Sequence, residues 1–140
     1  MGTPIDLIVS AIARQEGFFD GSSTLPRLNN NPGDLRYAGQ ISSHCPRCGA
    51  SGGKVPPSCL RFPTHVVANF ESLASGVTAL YRQVWLQVAE GQTLRQLIYQ
   101  FAPPNENSSE QYLANVAEWT KLPTEVKILD LLPSLTKISG

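Results

Sequence analysis

The sequence predicts one mainly helical α+β domain, with a small β-hairpin and a cysteine-containing loop insertion. Three observations predict it. The chain has 140 residues, 41% of them apolar, enough to bury roughly two thirds of its unfolded surface in one core but not to build a second. Apolar residues recur at helical spacing near the start of the chain and again from Ser72 onward. The eleven glycines and eleven prolines concentrate between positions 17 and 63, so the loops fall in the middle and the helices on either side.

Thr3-Pro4-Ile5-Asp6 reads as a helix start, with Thr3 as the cap, Pro4 at the first helical position where no amide hydrogen is needed, and Asp6 in the first turn. Ile5, Ile8, Ile12 and Glu16 follow on one face, and Gly17 ends the helix. Gly-Ser-Ser, Asn-Asn-Asn-Pro-Gly and Ser-Gly-Gly then mark turns. Asp34–Ala38 and Val66–Phe70 are expected to pair as the hairpin, with the cysteine segment, about 40–65, as an elaborated connection. From Ser72, the residues Leu73, Val77, Leu80, Val84 and Val88 line a helix that stops at Gly91. Thr93 with Gln96 forms a capping box for a short helix bearing Leu94, Leu97, Ile98 and Phe101, ended by Pro103-Pro104. Ser108 with Gln111 is expected to form another, opening a helix with Tyr112, Val116 and Trp119. A last helical stretch is expected from Val126 to Leu132.

Composition narrows the function. Charged residues are 16% of the chain and the formal net charge is zero, which argues against a nucleic-acid partner, since that needs a basic stripe. It also argues against disorder. The opening apolar stretch Ile5–Ala13 is too short to span a bilayer, contains Asp6 and lacks the marks of a secretory leader. The expectation is a monomer that does not insert into membranes.

Glu16 is the most informative position. A glutamate that continues an apolar helical face is expected to be partly desolvated and to hold its proton more tightly, the property of a general acid. The alternative is a structural role, in which Glu16 reaches solvent or pairs with Arg14 or Arg36. In Asn29–Arg36, consecutive amides including Asn30 and Asn31 can read sugar hydroxyls and N-acetyl groups, or only shape the turns. Ala102–Asn107, which contains Asn105, is a candidate groove wall or a stiff link between helices. Tyr37 and Tyr99 border these loops and are candidates to stack on sugar rings, whereas Trp85, Trp119 and Tyr81 read as core.

Cys45-Pro46-Arg47-Cys48-Gly49 has the form of a zinc knuckle, with Cys59 as third ligand and His65, or less comfortably His44, as fourth. A structural zinc would staple a loop too polar and Gly-Pro-rich to order itself. The other arrangements are a Cys48–Cys59 or Cys45–Cys59 disulfide with one free thiol, or three plain thiols.

The combination of Ala11–Gly17, Asn29–Arg36, Phe70 followed by Gly76 and Ala79-Leu80, and Ala102–Asn107 with Tyr112 and Val116 resembles the lysozyme-like peptidoglycan-degrading domains of phage virion proteins and their bacterial relatives. The resemblance runs from about residue 5 to residue 121. It implies a single lysozyme-like domain over 1–140, an activity that cleaves the β-1,4 linkage between N-acetylmuramic acid and N-acetylglucosamine, and Glu16 as catalytic acid. Catalysis of this kind needs no cofactor. The implied partner is the glycan of bacterial peptidoglycan, and the implied location is secreted or virion-associated. Lytic transglycosylases are similar in pattern, with a helical tyrosine whose counterpart here is Tyr112, but this chain lacks a serine after the glutamate, which leaves muramidase and transglycosylase chemistry both open. A second carboxylate, where one takes part, would come from Asp20, Asp34, Glu71 or Glu106. The rival reading is a non-catalytic glycan-binding or virion structural domain with the same fold.

Overall fold

Thr3 caps the first helix, as the Thr3-Pro4-Ile5-Asp6 pattern predicts, and Asp6 completes a reciprocal capping box. In the computed structural model, which describes residues 3–19, 29–33, 35, 68–102 and 108–132 together with the backbone of 43–44, the Thr3 hydroxyl accepts from the Asp6 amide at 3.2 Å. The Asp6 carboxylate in turn accepts from the Thr3 amide at 3.0 Å. Helix α1 then runs Pro4–Gln15, and Ile8 and Ile12 on its apolar face are buried. Its end is a Schellman closure: the Gly17 amide donates to the Arg14 carbonyl and the Phe18 amide to the Ala13 carbonyl, with Gly17 at φ 85.

Three more helices complete the described helical set: α2 Leu73–Ala89, α3 Leu94–Phe101 and α4 Ser109–Thr120. The protein is a small, mainly α-helical one. The chain forms two compact units, one of residues 1–11 with 83–140 and one of residues 12–82. No described helix is long and apolar enough to cross a membrane.

In the unit of 1–11 and 83–140, α3 packs against α4. Leu94, Leu97 and Ile98 of α3 and Tyr112, Leu113 and Val116 of α4 are buried, each aliphatic side chain among them contributing about 1.5–3 kcal/mol by leaving water. Thr93 caps α3 through the expected reciprocal bonds with Gln96. The helix ends at Phe101, and Ala102, which precedes Pro103, has left helical geometry at φ −128, ψ 79. The segment after α4 returns to the start of α3: Thr93 and Lys127 form an antiparallel bridge, the Arg95 amide donates to the Thr124 carbonyl, and the Ile128 amide donates to the Gln92 carbonyl.

In the unit of 12–82, the regular β-structure among the described residues is two residues per strand: β1 Ser43–His44 pairs antiparallel with β2 Asn69–Phe70. Ser72 caps α2 by accepting from the Ser75 amide at 3.1 Å. The core here includes Ile12, Phe18, Leu35, Phe70 and Leu80.

Several local expectations are corrected. Residues 69–70 pair with 43–44; of the expected partner Asp34–Ala38 all but Leu35 lies outside the described residues, and Leu35 meets residue 68 by a backbone bond, the Ala68 amide donating to the Leu35 carbonyl. Ser108 makes no side-chain cap bond at φ −82, ψ 83, and Gln111 donates to Asn115 one turn on at 2.9 Å. What anchors the start of α4 is Ser109, whose hydroxyl donates to the Ala102 carbonyl. Val126–Leu132 shortens to a 3-10 turn at Ile128–Leu131. On α2, Leu80, Val84 and Val88 are buried as expected, but Leu73, the first residue of the helix, is 42% exposed. Trp85 is no core residue, being 49% exposed: it follows Val84 directly and so points about 100° away from the buried ridge. Tyr81 and Trp119 are half-buried.

Candidate functional site

Glu16 occupies the C-cap of α1. Its amide donates to the Ile12 carbonyl at 2.9 Å, and its side chain is half-buried. The Gly17 turn sets where the chain leaves the helix, so the backbone that carries the carboxyl is held by three consecutive hydrogen bonds, those of Glu16, Gly17 and Phe18. The next residues divide by burial. Phe18 is buried and Phe19 is 63% exposed, their rings meeting edge to face at 5.3 Å.

The asparagine loop is a set of backbone clamps. Asn31 is fully buried. Both hydrogens of its amide nitrogen are used, one on the Leu35 carbonyl and one on the Ala68 carbonyl, each at 2.9 Å, and its oxygen accepts from the Leu35 amide at 2.8 Å. Asn30, at φ 51 in the left-handed region, donates from its side chain to the Phe70 carbonyl at 3.1 Å. Backbone bonds from the Ala68 amide to the Leu35 carbonyl and from the Phe70 amide to the Asn29 carbonyl complete the seam, both at 2.9 Å. The turn-shaping role is therefore what the geometry displays for Asn31, which offers neither surface nor a free N–H to a sugar. Asn29 and Asn69 form a side-chain pair of their own, with the Asn69 amide nitrogen donating to the Asn29 oxygen at 3.2 Å.

Tyr99 and Tyr112 belong to the other unit. Tyr112 is buried on α4 at 4% exposure. Tyr99 is half-buried on α3, and its hydroxyl donates to the Glu110 carboxylate. Arg95, one turn earlier, lies 5.9 Å from the Tyr99 ring centre and bridges two carboxylates, Glu110 at 2.9 Å and Glu125 at 2.8 Å. The hydrogen bond from Tyr99, reinforced by Arg95, holds the Glu110 carboxyl below the usual carboxylate range, and the same bond pushes the Tyr99 phenol up. Glu125 is lowered by its bond from the Thr124 hydroxyl and by Arg95. A second polar group centres on Gln87, buried on α2. It accepts from Gln83 at 3.3 Å and shares its own hydrogens between the Leu97 carbonyl, Gln92 and Gln100 at 3.3–3.4 Å.

Neither group announces itself in the sequence beyond helical spacing, Arg95 to Tyr99 on α3 and Gln83 to Gln87 on α2; Glu110 and Glu125 arrive from other segments. Of the other candidates, Glu71 is exposed after β2. Tyr37, Asn105, Cys45, Cys48, Cys59 and His65, with Asp20, Asp34 and Glu106, lie outside the described residues, and so does the choice between zinc, disulfide and free thiols. No family model, no curated protein and no solved structure matches the chain.

Proposed function

We propose that the protein is a peptidoglycan-degrading glycosidase with a lysozyme-like fold, in which Glu16 is the general acid. The observation that carries this reading is the placement of Glu16: half-buried at the C-cap of α1 and held by the Gly17 closure. A general acid in such a reaction is a carboxyl held in place beside the leaving oxygen, and the closure fixes the backbone that carries this one. The resemblance of Ala11–Gly17, Asn29–Arg36 and Ala102–Asn107 to lysozyme-like domains supports the same reading.

In the reaction, the Glu16 proton passes to the oxygen that links N-acetylmuramic acid C1 to the next sugar, and the C1–O bond breaks with its electron pair on that oxygen. The Glu16 carboxylate then accepts a proton from the attacking hydroxyl, supplied either by water or by the muramic sugar itself. Water leaves a reducing end. Attack by the sugar's own hydroxyl leaves an anhydro end. Asn30 and Asn31 serve this reading as clamps of the 29–35 loop.

The test is lysis of purified cell walls by wild-type protein and by Glu16→Gln, with mass spectrometry of the fragments. Glu16→Gln should keep the wild-type melting temperature and lose about 10²–10⁴ in rate. Wild-type lysis by the folded Glu16→Gln protein would sink the assignment, and walls bound but uncut by the wild type would favour the non-catalytic glycan-binding or structural reading.

A further inference from the structure

We propose that the exposed face of α2 between Arg82 and Glu90 is a self-association surface, on which a second copy of this chain lays its own α2 antiparallel. Opposite the buried ridge of Leu80, Val84 and Val88, α2 turns Arg82, Trp85, Leu86 and Ala89 to solvent. Glu90 follows on the closing turn, its amide still bonded to the Leu86 carbonyl. Trp85 is 49% and Leu86 41% exposed, so two large adjacent apolar side chains stand in water. Arg82 and Glu90 are exposed as well, and neither forms an ion pair among the described residues. They lie about 12 Å apart along the helix axis, too far to meet each other. Glu90 moreover stands at the C-terminal end of a helix whose last turn holds no basic residue, where the open carbonyls disfavour a negative charge and favour a positive one.

The spacing along this face is self-complementary. At about 100° and 1.5 Å per residue, Arg82 and Ala89 point within about 20° of one direction, with Trp85 and Leu86 on either side of it. The midpoint of Arg82 and Ala89 along the helix is also the midpoint of Trp85 and Leu86. A two-fold axis placed there sets Arg82 opposite Ala89 of the second copy, whose small side chain leaves room for the arginine stem. It sets Trp85 against Trp85 and Leu86 against Leu86, and puts Glu90 of the second copy only about 1.5 Å beyond the level of Arg82, within reach of its guanidinium. Such an interface buries Trp85 and Leu86 of both copies and forms the Arg82–Glu90 pair twice, because symmetry repeats each contact. A parallel arrangement does not, since Arg82 then faces Arg82 and Glu90 faces Glu90. The surface is independent of Glu16 and of the glycan-cleaving reading, and it revises the expected monomer.

Sedimentation velocity on the full chain tests the surface. Wild type should pass from monomer to dimer between about 1 µM and 1 mM, the range of a small interface. Arg82→Glu and Glu90→Arg each turn both pairs into repulsions, so each should raise the dissociation constant about tenfold or more. Both side chains are exposed, so the melting temperatures of the dilute variants should stay near wild type. An equimolar mixture of the two variants should recover wild-type association, because one copy then carries only acidic and the other only basic side chains at the two positions. Trp85→Ala, which leaves the charges in place, should also weaken the dimer about tenfold or more. A wild type that stays monomeric at about 1 mM overturns the proposal and leaves the face to a different partner. Association unchanged in the charge reversals or in Trp85→Ala overturns it as well, and so does a mixture that associates no better than its components.

Discussion

The carbonyl oxygen of Asn30 sits where a side chain on Gly76 would begin. A Cβ at Gly76 would overlap that oxygen and crowd Pro32 Cδ at 3.2 Å, so the first turn of α2 can lie against the asparagine loop only because residue 76 has no side chain. The obstacle is backbone, held in place by the φ 51 geometry of Asn30 and its bond to Phe70.

Gly76→Ala should therefore destabilise the protein by about 1–3 kcal/mol, at the upper end of that range because a carbonyl cannot turn aside. Urea unfolding measures it. Gly33→Ala supplies the comparison: its Cβ would meet Leu80 Cδ1 at 2.6 Å, and a leucine methyl can rotate away, so its loss should be smaller.

Asn31→Ala should be more damaging than Asn30→Ala. It strands the Leu35 amide and the Ala68 carbonyl in a buried setting, and each such group costs about 1–3 kcal/mol when left unpaired. Asn30 is only half-buried and makes one side-chain bond among the described residues. If Asn31 is purely a clamp, wall lysis per folded molecule stays at the wild-type level in Asn31→Ala; a loss of rate that exceeds the loss of folded protein would give it a sugar contact instead.

The two helix starts on α3 and α4 look alike in sequence and differ in structure. Thr93→Ala removes a working cap and should cost about 1 kcal/mol. Ser108→Ala removes a hydroxyl that makes no cap bond and should fall within about 0.5 kcal/mol of wild type. Thermal melts of the two variants decide the matter.

The Arg95 group gives a dependence on acid. Glu110 and Glu125 both have lowered values in the folded protein, so their contribution is complete above the ordinary unfolded glutamate value of about 4.3 and is lost as pH falls through the folded values. The melting-temperature advantage of wild type over Arg95→Ala should be constant above about pH 5 and shrink below about pH 4. These side chains are 41–65% exposed, so the advantage should be modest and should also fall with added salt.

Local rules in the sequence determined where helices begin and end. The Thr3 and Thr93 caps, the Gly17 and Gly91 stops and the exit before Pro103 depend on atoms within a few residues, and those interactions form without reference to the rest of the chain. The buried ridges Ile8–Ile12, Leu80–Val84–Val88 and Leu94–Leu97–Ile98 followed from periodicity for the same reason. The position of Glu16 at the foot of α1 was legible in this way, since Gly17 and the apolar face suffice to define it.

Tertiary structure decided what depends on partners far along the chain. Three adjacent asparagines look equivalent in sequence, yet Asn31 is sealed inside, Asn30 is tied to Phe70 and Asn29 is paired with Asn69. Their fates differ because residues 68–70 run alongside the loop, about forty positions later. Likewise nothing local distinguishes Ser108 from Thr93 or brings Glu110 and Glu125 to one arginine. A cap or a periodic face is set by neighbours in the chain, whereas the role of a polar side chain is set by which distant backbone group, left without a partner by its own strand or helix, comes within its reach.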